Sequence, residues 1–85
     1  MDLLPPLLHA LDDALQLEGR AQRFNLDTPL LGALPELDSM GAVALVSHLE
    51  QQFGVVFDDA DLHAQTFATV GSLLTLVQQA LNPVD

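Results

Sequence analysis

The first pattern in the chain is a series of leucines that recur every three or four positions over the first 15 residues. Such spacing places them on one face of a helix. Prolines at positions 5 and 6 suit a first helical turn, where the missing N–H groups cost nothing. The pattern therefore predicts a helix from Pro5 to Leu17 that Gly19 ends.

Two further helices are predicted downstream by the same spacing. The second runs from Ser39 to Phe53, with Gly54 placed as its C-terminal stop. In the last, apolar residues repeat at helical intervals from Val70 to Leu81. Thr69 can cap its start, and Asn82-Pro83 closes its end.

The segments between these helices differ in length and character. In residues 19–38, Pro29, Gly32 and Pro35 forbid a long helix, yet the segment also contains six large apolar residues. We expect a long first loop that packs along the core. Asp58-Asp59 opens a short helix that ends near Gln65. No stretch alternates long enough for a strand, so the expected fold is all-α: a four-helix bundle, three helices longer and one short, with a long first loop.

Composition narrows the functional classes. With 85 residues, 49% of them hydrophobic, the chain is one domain over residues 1–85, with one modest core and no room for a deep enzyme cleft. The net charge of −10 argues against binding to nucleic acid or to an anionic membrane surface. No cysteine is present, which favours the cytoplasm. No segment has the roughly 18 apolar residues of a membrane span. We expect a cytoplasmic monomer that inserts into no membrane.

Two catalytic or metal-binding arrangements are conceivable, and both fit poorly. Ser39 and His48 are nine positions apart on one helix, which puts them about 180° around it and roughly 13 Å apart, too far to hydrogen-bond. Asp59, Asp61 and His63 could form a weak cation site, but the run lacks the glycine and glutamate of a calcium loop. A solvated acidic helix start explains them better. We therefore predict neither catalytic residues nor a metal.

Ser39 stands at the predicted start of the second helix, directly after Asp38. Backbone N–H groups at a helix start are unpaired and the helix dipole is positive there, so a phosphate on the serine hydroxyl would be stabilised. Position alone leaves open the alternative that Asp38 or Ser39 merely caps the helix.

A nearly uncharged stripe runs along the same helix beside Ser39. The core face consists of Leu45, Val46, Leu49 and Phe53. The opposite stripe consists of Met40, Val43, Ala44, Ser47 and Gln51, with Glu50 on its margin. Charge is normal on a surface helix, so an uncharged stripe is typical of a binding face. It could instead pack beneath the long loop.

Taken together, these segments resemble an acyl carrier protein. Asp38-Ser39-Met40 is close to the Asp-Ser-Leu attachment motif of that family. Two further blocks, Phe53-Gly54-Val55 and Thr69-Val70-Gly71, stand at the family's distances from it. The likeness covers nearly the whole chain and is weakest in the first helix.

The resemblance implies a carrier rather than an enzyme. It implies that Ser39 carries 4′-phosphopantetheine, which a phosphopantetheinyl transferase adds from coenzyme A, and that Asp38 orients the helix start. The terminal thiol of the arm then holds acyl groups as thioesters. It also implies a partner face, for which we take Met40, Val43, Ala44, Ser47 and Glu50.

The chain departs from the family where the second helix is usually acidic. Neutral residues occupy four commonly acidic positions: Gly41, Ala44, Gln51 and Gln52. We therefore expect a dedicated stand-alone carrier that serves an acyl-activating ligase, or acyltransferase and ketosynthase enzymes of a polyketide type. One alternative is a peptidyl carrier, although such domains typically have two glycines where Glu36 and Leu37 stand. The other is an unmodified helical interaction module.

Overall fold

Three α-helices form the fold of residues 2–81, the part of the chain that the computed structural model describes. They are α1 (Leu4–Leu15), α2 (Ser39–Phe53) and α3 (Val70–Leu81). Three 3₁₀ turns lie between them, at Arg20–Arg23, Asp59–Asp61 and Ala64–Phe67. Within residues 2–81 the extended structure is limited to an isolated bridge between Pro29 and Thr69. The prediction of an all-α fold is confirmed.

The predicted end of α1 is wrong, whereas its start lies within one residue of the prediction. The helix starts at Leu4 and ends at Leu15, because Gln16 adopts a left-handed conformation with φ 55°. Leu17 is fully buried although it lies outside the helix. Gly19 also has a positive φ, 90°, but it precedes the first 3₁₀ turn rather than ending α1.

The other two helices start where the sequence predicts. The Asp38 carboxylate accepts the Gly41 N–H at 2.8 Å, and Gly54 ends α2 with φ 67°. At the start of α3, Thr69 and Ser72 each accept the other's backbone N–H through their side-chain oxygens, both at 3.1 Å. The predicted closure by Asn82-Pro83 lies outside the described residues.

The predicted short helix from Asp58 to Gln65 takes the form of two separate 3₁₀ turns. Leu62 breaks the segment, since its backbone angles, φ −99° and ψ 78°, are not helical. Thr66 then ties the second of these turns to the first by donating its hydroxyl to the Asp61 carbonyl at 2.6 Å.

The long first loop packs against the body of the protein, as predicted. Its backbone pairs with the start of α3: the Leu30 N–H donates to the Ala68 carbonyl at 2.8 Å, and the Gly71 N–H donates to the Leu26 carbonyl at 2.9 Å. Leu30 is fully buried, whereas Leu26 stays exposed. A Cβ at Gly71 would lie 3.0 Å from the Leu26 carbonyl oxygen, so glycine allows this close approach.

One hydrophobic core joins the three helices and the loop. Its fully buried leucines and valines come from α1, α2, α3 and the connecting segments: Leu7, Leu11, Leu17, Leu30, Leu45, Leu49, Val70, Leu73 and Val77. Across residues 2–81, none of the helices combines the length and the apolar character that a membrane crossing needs.

Candidate functional site at the start of α2

Ser39 is the first residue of α2, and its side chain is exposed. Asp38 caps the helix through the Gly41 N–H, whereas the Ser39 hydroxyl has no hydrogen-bond partner among residues 2–81. Of the two residues that could have served as the cap, Asp38 therefore does so. The Ser39 hydroxyl remains accessible.

The helix start around Ser39 has spare hydrogen-bond donors. Asp38 accepts hydrogen bonds from the N–H groups of Gly41 and Ala42. Its side chain accepts from Gly41 and its carbonyl from Ala42, both at 2.8 Å. The backbone N–H groups of Ser39 and Met40 have no acceptor within the described chain. Two free donors at the positive end of the helix dipole suit an anionic group on the adjacent hydroxyl. The residues present thus fit a phosphodiester at Ser39.

Residues 34–38, which we call the pre-serine turn, deliver the chain to α2. The Leu37 N–H donates to the Leu34 carbonyl at 3.0 Å, and Leu37 itself is buried. The turn passes so close to α2 that a Cβ at Gly41 would lie 2.2 Å from the Glu36 carbonyl oxygen. Glycine at position 41 is therefore a packing requirement.

An ion pair that the sequence did not reveal anchors the pre-serine turn. The Arg20 guanidinium, from the first 3₁₀ turn, bonds to the Glu36 carboxylate. The pKa of Glu36 is lowered, first by a hydrogen bond from its own backbone N–H and then by the hydrogen bond from Arg20. The partners are 16 positions apart and meet only because the loop folds back, so local sequence holds no signal for their contact.

The predicted neutral stripe of α2 faces solvent. Met40 is 82% exposed and Val43 is 71% exposed, which are high values for large apolar side chains. The remaining members are also exposed: Ala44, Ser47 and Gln51. The stripe therefore does not pack beneath the long loop, and its apolar side chains are available for contact.

Glu50 differs from the free acid that its position in the sequence suggests. It is half-buried, and its Oε2 accepts the backbone N–H of Phe57 at 2.9 Å. The carboxylate thus holds the segment that follows α2. Its negative charge faces this segment more than the neutral stripe.

A groove of about 380 Å³ lies between α2 and the segment that leads to α3. Its α2 wall includes Val43, Ser47 and Glu50, three of the residues predicted for the partner face. Met40 and Ala44 are not among its lining residues. The opposite wall is formed by Asp59, Leu62 and Phe67. Sequence reasoning assigned no attachment or partner-binding role to this wall.

Two other places deserve comparison with this site. A cavity of about 450 Å³ lies along α1 and the first 3₁₀ turn, near His9 and Gln22, and none of the predicted site residues lines it. Within residues 2–81, no three His, Cys, Asp or Glu side chains are grouped to hold a metal ion. The conceivable cation site at Asp59, Asp61 and His63 is thus not formed.

Comparison with known proteins identifies related chains. The family model described as "Phosphopantetheine attachment site" matches residues 7–77. The solution NMR structure of a holo acyl carrier protein from Nitrosomonas europaea is similar to this chain, with 40% sequence identity and a TM-score of 0.88. The match covers 95% of this chain and 98% of that one. No curated protein matches the chain.

Proposed function

The chain belongs to the acyl carrier proteins, whose members carry a covalently attached 4′-phosphopantetheine, and we propose that Ser39 carries this group here. The observation that supports Ser39 is its exposed hydroxyl, free of hydrogen bonds among residues 2–81, beside two unpaired N–H groups at the start of α2. Asp38 supports this arrangement by capping the helix itself. When bound, the group supplies a flexible arm whose thiol holds acyl groups as thioesters.

The protein's own part is to present the loaded arm to other enzymes. A phosphopantetheinyl transferase modifies it, and an acyl-activating ligase, or acyltransferase and ketosynthase enzymes, load and use it. The groove beside α2 offers apolar side chains from Val46, Leu62 and Phe67, which suit an acyl chain. We assign no catalytic residue to the chain, because the partner enzymes catalyse the reactions of the carried group.

Mass spectrometry of the intact protein after incubation with a phosphopantetheinyl transferase and coenzyme A tests the attachment residue. The wild type should gain one phosphopantetheine, and Ser39→Ala should gain none while keeping its helical circular dichroism. Thr75→Ala is the control, because it removes an exposed hydroxyl from α3 instead and should be modified normally. Modification of Ser39→Ala would overturn the assignment. An unmodified wild type would favour the interaction module. An aminoacyl group found as a thioester on the protein from its native host would favour a peptidyl carrier.

We also propose that partner enzymes read the neutral stripe of α2 mainly through shape and apolar contact. Met40 and Val43 project beside Ser39, and Ala44 and Ser47 extend the same surface. Glu50, at the margin, is engaged with the Phe57 N–H. A partner that depended on acidic side chains would find little to hold on this face.

Loading by the cognate enzyme tests this mode of recognition. Val43→Asp places a charge in the stripe and should slow loading at least about tenfold, the effect of losing about 1.4 kcal/mol at a central contact. Val56→Asp is the matched control, because Val56 is 87% exposed but lies beyond α2, and it should load normally. Glu50→Gln should have a small effect, since its amide oxygen can still accept the Phe57 N–H. If Glu50→Gln proved the most damaging, electrostatic recognition would replace this proposal.

A further inference from the structure

We propose that Arg20 is a positioning residue, which holds the pre-serine turn through its ion pair with Glu36 and thereby speeds the modification of Ser39. The inference rests on the proposed function, since it concerns the delivery of Ser39 to the transferase. Arg20 is one of two basic residues in a chain that has twelve acidic ones.

The Arg20 end of the pair is fixed to α1. The Asp12 carboxylate, on α1, accepts the backbone N–H of Gly19 at 3.0 Å and that of Ala21 at 3.2 Å. The Arg20 Nε donates to the carbonyl of the fully buried Leu17 at 3.1 Å. The guanidinium is thus oriented by the backbone and by α1 before it meets its acidic partner.

The Glu36 end of the pair is linked to Ser39 by a short and constrained path. Glu36 bonds to Arg20 through its side chain, and its carbonyl oxygen lies against Gly41 in the first turn of α2. The next residue, Leu37, is buried, and Asp38 then caps the helix. Arg20 therefore restrains the chain just three positions before the serine that must enter the transferase.

The exposure of the pair separates this role from a general contribution to stability. Both side chains are partly exposed to solvent. Exposed ion pairs contribute little to the stability of a fold, because water and salt screen them. Loss of the pair should therefore loosen the pre-serine turn locally and leave the core, which does not include either side chain, intact.

Transferase kinetics on purified full-length variants test the proposal. Arg20→Gln should lower kcat/KM for modification about tenfold, because a small displacement of a reacting group slows its reaction by about this factor. The melting temperature should stay unchanged. Arg23→Gln is the matched control, since it removes the same charge from the same 3₁₀ turn, and Arg23 has no ion pair among residues 2–81. It should be modified at the wild-type rate. The charge exchange that combines Arg20→Glu with Glu36→Arg should restore part of the lost rate, because the ion pair can form again whereas the bond from Arg20 Nε to the Leu17 carbonyl cannot.

Amide hydrogen exchange supplies a second measurement that needs no transferase. Exchange at Leu37, whose N–H donates to the Leu34 carbonyl, should be at least about threefold faster in Arg20→Gln than in the wild type, and near normal in Arg23→Gln. Unchanged exchange together with a wild-type modification rate would overturn the proposal. So would an equal loss of rate in Arg23→Gln, which would point to net charge. If the wild type were not modified at Ser39, the proposed function would fail, and exchange alone would decide whether Arg20 holds the turn.

Discussion

A methyl group at Gly41 tests how closely the pre-serine turn packs on α2. In Gly41→Ala the new Cβ would lie 2.2 Å from the Glu36 carbonyl oxygen and 3.2 Å from the Leu15 Cδ2. Cβ contacts under 3.0 Å are essentially never found in proteins, and the obstructing oxygen belongs to the backbone. The turn or the first turn of α2 must therefore move to admit the methyl group.

The substitution Gly41→Ala combines a small gain in folding stability with a larger loss. In an unobstructed helix, replacing glycine by alanine stabilises by about 1 kcal/mol, because alanine loses less backbone entropy on folding. Overpacking typically costs about 1–3 kcal/mol. Since the contact at Gly41 involves a rigid atom at 2.2 Å, the cost should be near the top of that range. We expect Gly41→Ala to lower the free energy of unfolding by about 2 kcal/mol.

Urea denaturation followed by circular dichroism measures this change. Ala44→Gly supplies the control, because Ala44 is exposed on the same helix and its replacement measures the cost of glycine without a packing term. That variant should lose about 1 kcal/mol. If Gly41→Ala instead gained as much stability as Ala44→Gly lost, the close approach of the Glu36 carbonyl would not constrain α2 and the reasoning would be refuted.

Two further predictions concern charge. Sodium chloride in the sub-molar range should raise the melting temperature, because it screens the repulsion within a chain of net charge −10, and a constant melting temperature would contradict this. The second follows from the lowered pKa of Glu36, which falls below 4.5 in the folded protein. A lowered pKa adds stability that is present above pH 4.5 and is lost as the pH falls through the folded value. Glu36→Gln should therefore show a slightly weaker loss of stability in acid than the wild type, a small effect because solvent screens the exposed pair, and identical acid unfolding curves would count against it.

The starts of α2 and α3 could be predicted because their signals are local. Asp38 and Thr69 cap the helices with their own side chains, and Gly54 adopts the left-handed conformation that ends α2. The end of α1 could not be predicted in the same way. Leu17 is apolar, yet it is buried after the helix has ended at Leu15, beyond the left-handed residue Gln16. An apolar residue reports burial, and burial continues here beyond the helix.

The features of the candidate site also differ in whether they depend on local sequence or on the packing of distant segments. The places of Ser39 and Val43 on α2 favoured their exposure, but the sequence left open a capping serine and a stripe packed beneath the long loop. The structure leaves both side chains exposed. The pairing of Arg20 with Glu36 and the contact of Glu50 with the Phe57 N–H depend on the paths of the connecting segments. No local pattern encodes these paths, since each joins residues that only the packed core brings together.

The neutral positions of α2 have different physical origins. The resemblance to acyl carriers would place acidic residues at Gly41, Ala44, Gln51 and Gln52. At Gly41 the Glu36 carbonyl leaves no room for any side chain, so an acid there is excluded by packing. Ala44 and Gln51 are exposed, and a carboxylate at either position would meet solvent. Packing therefore explains the neutral residue at Gly41, and at Gln52 the side-chain Nε2 donates to the Pro6 carbonyl at 2.8 Å, a bond that a carboxylate could not make. The neutrality of the remaining stripe is a property of its surface, and it supports a partner whose matching surface is itself apolar.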